Sequence, residues 1–123
     1  MGLGGVFLEK LIINGSRPLN GTVKASGAKN AALGIMAATV IATEPCLVGN
    51  LPEIEDVEIM KDIIQSLGVK VKSKKNQAYF DASTMATSDV ETPLASKMRA
   101  SYYLIGALLA KTGSASQLGT AGF

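Results

Sequence analysis

The sequence contains no histidine, no tryptophan and a single cysteine among its 123 residues. Imidazole general-base chemistry is therefore excluded, and one thiol without an imidazole supports neither a structural zinc site nor a disulfide framework. Long apolar runs are lacking too: the two longest, 31–42 and 100–110, fall short of the roughly twenty residues a membrane-spanning helix needs. Residues 1–7 carry no positive n-region, and Val6 stands where a myristoylation signal needs Ser or Thr. Charge of one sign is scarce: 12 Lys and Arg against 10 Asp and Glu give a net +2, too little for a nucleic-acid or membrane surface, and the Lys-rich run 70–75 reads as a solvated hairpin. What is present is apolar content, 47%, which excludes disorder. The expectation is a soluble cytoplasmic chain with a glycine-rich leader over 1–7, working through Lys, Arg, Asp, Glu, amides and hydroxyls.

The pattern of elements follows from short-range signals. Leu11-Ile12-Ile13 ends at Asn14-Gly15, and Asn20-Gly21 precedes Thr22-Val23-Lys24-Ala25, so a small hairpin or two strand ends are expected there. Ser26 is the expected N-cap of a helix over 28–42 that is apolar on nearly every side and so buried all round, halted by Glu44-Pro45. A strand is expected over 46–49. Glu53, Glu55 and Asp56 then lead into Val57, Met60, Ile63, Ile64 and Leu67 at helical spacing, with Gly68 at C′, which describes an amphipathic helix whose acidic start suits its dipole. Val69-Lys70-Val71-Lys72 alternates and returns as Ala78-Tyr79-Phe80, a hairpin. A polar loop with a short strand spans 81–91, a third helix is expected over about 95–110, and a strand begins near Ser114. The alternation reads as an α/β (α+β) chain of about two βαβ-type repeats. Exposed helix and sheet faces that so short a chain leaves uncovered invite self-association.

Two placements run against helix electrostatics. Lys29 opens one apolar helix and Lys97 with Arg99 opens another, about seventy positions later, and a cation at a helix N-terminus typically loses about 0.3–1 kcal/mol to the dipole. An anion that collects both helix amides and side-chain charge explains such a placement. A cation at the mouth of a buried helix also satisfies itself merely by reaching water; the two accounts part on whether Lys29 and Arg99 share a hollow. Asn30 serves as a backbone cap or a ligand contact. Cys46 reads as an inert core thiol, and Met36, Met60 and Met98 as core fillers.

Several strings then resemble one family. Leu11-Ile12-Ile13-Asn14-Gly15, Pro18-Leu19-Asn20-Gly21-Thr22-Val23, Ser26-Gly27-Ala28-Lys29-Asn30-Ala31, Leu51-Pro52 with Asp56-Val57, Leu67-Gly68, and Lys97-Met98-Arg99-Ala100-Ser101 are similar, in order, to the N-terminal part of the UDP-N-acetylglucosamine enolpyruvyl transferases. The resemblance implies an inside-out α/β barrel with buried helices, of which this chain supplies a part over 8–123. It implies transfer of the enolpyruvyl group of phosphoenolpyruvate to the 3′-hydroxyl of UDP-N-acetylglucosamine, through a tetrahedral intermediate with phosphate released, in bacterial peptidoglycan synthesis. By the same carry-over Lys29 is catalytic and binds substrate together with Asn30 and Arg99, the partners are those two substrates, and no metal or organic cofactor takes part. The sister transferases acting on shikimate 3-phosphate usually carry Ser-Lys-Ser where this chain has Ala28-Lys29-Asn30, and stand second.

The chain also departs from the family. The family's reactive-cysteine loop is expected just after Ser114, whereas Gly119-Thr120-Ala121-Gly122-Phe123 stands there and the cysteine position falls on Phe123. The resemblance thus implies a truncated transferase segment that does not turn over alone. A non-catalytic module binding anions or nucleotide sugars is the alternative from another class.

Overall fold

In the computed structural model, residues 8–90 and 93–117 are described; the expected leader over 1–7 and the loop position at Phe123 lie outside them. Among the described residues are three α-helices and five short strands: α1 (Lys29–Ala38), β1 (Cys46–Val48), α2 (Glu55–Ser66), β2 (Lys70–Lys74), β3 (Gln77–Asp81), β4 (Asp89–Val90), α3 (Tyr103–Thr112) and β5 (Ser116–Gln117).

The region from β1 to β3 is a split β-α-β unit. Strand β3 lies between β1 and β2 and is antiparallel to both, with Phe80 opposite Cys46 on one side and Val71 on the other. Alternation sends Ala78 and Phe80 inward, each 1% exposed, while Lys72, Tyr79 and Leu47 share the outer face. The hairpin expected from the Val-Lys pattern is therefore present, and Asn76 closes it with a positive φ of 58°. Helix α2 is also where its periodicity put it. Val57, Met60, Ile63 and Ile64 are buried, and Gly68 ends the helix at φ 91°, a conformation open to glycine at no steric cost. A second unit follows, in which β4 and β5 pair in parallel across the intervening α3, with Asp89 opposite Ser116. Ser116 Oγ donates to Asp89 Oδ1 at 2.7 Å across that pair. Helix α1 packs against both α2 and α3, around a core that includes Leu33, Met36, Met60, Leu104 and Leu108. Met36, Met60 and Met98 fill that core as expected.

Several expectations are corrected. The hairpin over 11–25 does not form: residues 8–28 carry no helix or strand, and Leu11, Ile12, Ile13, Leu19 and Val23 are all more than three-quarters exposed. Strand propensity is realised only when another strand accepts the ladder, and none among the described residues does. The helix expected over 28–42 ends at Ala38, because Thr39 Oγ1 donates to the Met36 carbonyl at 2.6 Å and the chain relaxes into tighter turns through Val40 and Ile41. Nor is it buried all round, since Ile35 and Ile41 remain about half exposed. Ser26 is not its cap; Ala28 holds that position without a side-chain bond. Cys46 is half-buried rather than core, its thiol 3.5 Å from the Glu44 carbonyl. The third helix, expected from Ala95, begins as α only at Tyr103, preceded by two 3₁₀ turns, Pro93–Lys97 and Arg99–Tyr102.

Candidate functional site

The break before α3 decides where its cations stand. Met98 is extended (φ −131°, ψ 113°) and buried, so the chain turns over between Lys97 and Arg99. Buried Ser101 donates its hydroxyl to the Ala95 carbonyl at 3.1 Å and stitches the two 3₁₀ turns together. Arg99 consequently opens a helical rod over 99–112, whereas Lys97 ends the preceding turn. The expectation that both cations sit in the first turn of one helix is corrected to that extent: the dipole argument holds for Arg99 and not for Lys97.

Helix α1 presents the other cation. Lys29 is its first residue, with no acidic residue in its first turn. Gly27, two residues earlier, lies against the corner made by Asn50 and Pro52. That corner leads into α2, whose first turn carries Glu55, Asp56 and Glu58. The N-termini of α1 and α2 thus meet, and Lys29 Nζ lies 2.9 Å from Asp56 Oδ2. The pair is only partly shielded, with 54% of the lysine side chain and 36% of the aspartate side chain exposed, so its own strength is modest.

One cavity of about 450 Å³ joins these elements, its wall including Lys29, Asn30, Asp56, Lys97, Arg99 and Tyr103. Lys29 and Arg99 therefore do not point to opposite sides of the molecule. Residues seventy positions apart share one hollow, as the anion account requires and the account in which each cation merely reaches water does not. Three cations and one carboxylate leave the lining net positive, with an amide and tyrosine edges beside them. Such a lining suits a small polyanion that carries hydrogen-bonding groups. Sequence reasoning missed two participants. Asp56 was explained fully by the dipole of its own helix, and only its surplus over the one or two acids such a start needs could have marked it. Tyr103 lay inside the expected helix and gave no signal.

Comparison with known proteins bears on the same residues. The model of the EPSP synthase (3-phosphoshikimate 1-carboxyvinyltransferase) family matches residues 13–121. UDP-N-acetylglucosamine 1-carboxyvinyltransferase 3 of Caldanaerobacter subterraneus subsp. tengcongensis is 45% identical over 108 residues, 88% of this chain and 26% of that protein. The UDP-N-acetylglucosamine 1-carboxyvinyltransferase of Treponema denticola is 44% identical over 109 residues, again 88% of this chain and 26% of the relative. Among solved structures, the enolpyruvyl transferase NikO from Streptomyces tendae superposes with a TM-score of 0.69 at 26% identity, over 82% of this chain and 24% of that one. The chain thus spans about a quarter of the length of the relatives it matches. With a family match over nearly its whole length, an enolpyruvyl-transferase fold and the expected cations gathered at one cavity, the chain belongs to the EPSP synthase (3-phosphoshikimate 1-carboxyvinyltransferase) family.

Proposed function

We propose that this chain, over 8–123, forms the N-terminal part of a bacterial, cytoplasmic transferase that moves the enolpyruvyl group of phosphoenolpyruvate to the 3′-hydroxyl of UDP-N-acetylglucosamine, a step of peptidoglycan synthesis. The observation that carries it is the shared cavity: Lys29, Asn30 and Arg99 line one hollow although they are far apart in sequence. The relatives at 44–45% identity, named for that nucleotide sugar, support this substrate over shikimate 3-phosphate. Phosphoenolpyruvate brings a phosphate and a carboxylate. Lys29, fixed at a helix start, stabilises charge that shifts as the sugar oxygen adds, the tetrahedral intermediate forms and phosphate leaves. Asn30 supplies amide hydrogen bonds beside it, and Arg99 holds the nucleotide-sugar side. Turnover needs the parts of the relatives that lie beyond the matched quarter. The uncovered apolar residues of 8–26 and the outer face of α1 are the surfaces through which the isolated chain self-associates.

The test is a calorimetric titration of phosphoenolpyruvate and of UDP-N-acetylglucosamine into the 123-residue chain and into a Lys29→Ala, Arg99→Ala double variant. Saturable binding that disappears in the double variant is expected. Binding that survives it, or preference for shikimate 3-phosphate, overturns the assignment.

A further inference from the structure

Gly27 is not in the positive-φ region, so its conformation alone would admit any residue. Its surroundings would not. A Cβ at Gly27 would overlap the backbone carbonyl oxygen of Asn50 and come within 3.3 Å of Pro52 Cδ. Both neighbours are fixed. Asn50 holds a positive φ of 53°, Pro52 is buried, and the Leu51 amide between them donates to the Asn76 carbonyl at 2.9 Å at the hairpin tip. An obstacle made of backbone cannot swing aside as a flexible side chain does, so a methyl group at Gly27 must push the two backbones apart. Lys29 is two residues from that contact, and Asp56, its ion-pair partner, stands in the first turn of the helix the corner introduces.

We propose that Gly27 is a positioning residue for the Lys29 cation: its bare Cα lets the start of α1 seat on the Asn50–Pro52 corner, and that seating brings the Lys29 ammonium to Asp56 at the cavity wall. The inference rests on the anion-binding reading of the cavity. It adds that the reach of a lysine is set by a backbone contact outside the cavity, since Gly27 is not among its lining residues. Helix α1 supplies a matched control, because a Cβ at Gly34 would meet nothing within 4 Å.

Two measurements on the 123-residue chain test this. The first reads the ion pair without ligand: the rate of Lys29 acylation, normalised to exposed Lys72 and followed by mass spectrometry. The second is the affinity for inorganic phosphate. Gly27→Ala is expected to speed Lys29 acylation and to weaken phosphate about ten-fold or more, as misplacement of a fixed charge does, whereas Gly34→Ala leaves both within about two-fold. Equal effects of the two substitutions, or none from Gly27→Ala, overturn the proposal. Should Gly27→Ala fail to fold, the wild-type chain still decides: nuclear Overhauser contacts between Gly27 Hα and Pro52 Hδ are expected, and their absence overturns the seating. Failure of the wild-type chain to bind phosphate, with the acylation contrast intact, instead removes the anion-binding reading while leaving the backbone contact as the determinant of Lys29 position.

Discussion

Asp56→Asn sets two effects of one carboxylate against each other. The wild-type carboxylate tethers the Lys29 ammonium at 2.9 Å, and it also places a negative charge beside any anion that the lysine receives. The tether is weak, because the pair is partly solvated; exposed pairs of this kind contribute about 0–1 kcal/mol. Two oxygens that each hydrogen-bond one ammonium lie about 5 Å apart, and charges at that separation repel by about 0.8 kcal/mol at the dielectric of water and about 3 kcal/mol at an effective value of 20. A dianion doubles the cost. For a dianion the repulsion, about 1.7 kcal/mol even in water, exceeds the largest tether by about 0.7 kcal/mol, so Asp56→Asn tightens phosphate binding by about three-fold at the lower limit and by more at low salt. Folding stability changes by no more than about 1 kcal/mol. Phosphate titrations of both chains at about 25 mM and about 500 mM sodium chloride, which span strong and weak screening, check the binding part, and urea unfolding alongside checks the stability part. Weaker binding by a folded Asp56→Asn variant, or a gain that persists at high salt, would refute the reasoning.

Three further outcomes follow from the packing. Phe80→Ala removes the largest fully buried side chain from β3, where Phe80 is 1% exposed, and is expected to cost about 3–5 kcal/mol in urea unfolding. Ser101→Ala removes the hydroxyl that donates to the buried Ala95 carbonyl but leaves that carbonyl the Met98 amide at 3.4 Å; it is expected to cost about 0.5–1.5 kcal/mol in urea unfolding and, on the function proposed above, to weaken UDP-N-acetylglucosamine in the same titrations by loosening the turn that carries Arg99. Asp81 accepts from the Ser83 hydroxyl and amide at 2.6 and 3.0 Å, which, helped by Lys70 and Lys111, holds its carboxyl below the ordinary 3.8. A depressed folded-state value means that the stabilisation is complete above the unfolded value and is lost as pH falls through the lower folded one. Carbon-13 titration of the Asp81 carboxyl should place it below 3.8, and a value at or above that contradicts the two hydrogen bonds from Ser83.

What could be read from the sequence was what neighbours in sequence decide. Helix α2 carries its own period, its acidic start and its terminal Gly68, and it forms within a residue or two of the expected limits. The β2–β3 hairpin carries its alternation and its turn. Leu11-Ile12-Ile13 carries equally strong strand chemistry and forms nothing, because a strand is completed by a partner and no described strand pairs with it. The start of α3 was misplaced for a related reason. Met98 is a good helix former by propensity, yet burying its side chain while Ser101 reaches back to Ala95 costs the chain its regular helix there.

The cavity shows both sides of this division. Lys29 and Arg99 announced themselves because each violates a local rule, a cation where a helix wants an anion, and a local violation is visible in one dimension. Asp56 obeys its local rule, and Gly27 resembles any loop glycine, so neither could be singled out before α1 and α2 were seen to meet end to end. The residues that carry charge into the hollow were therefore legible, and the residues that aim that charge were not. If aiming rather than charge limits this site, Lys29→Arg, which keeps the cation but changes its reach and shape, should bind phosphate more weakly than the wild-type chain despite an unchanged net charge. Equal affinity would show that the hollow needs only a positive potential at Lys29.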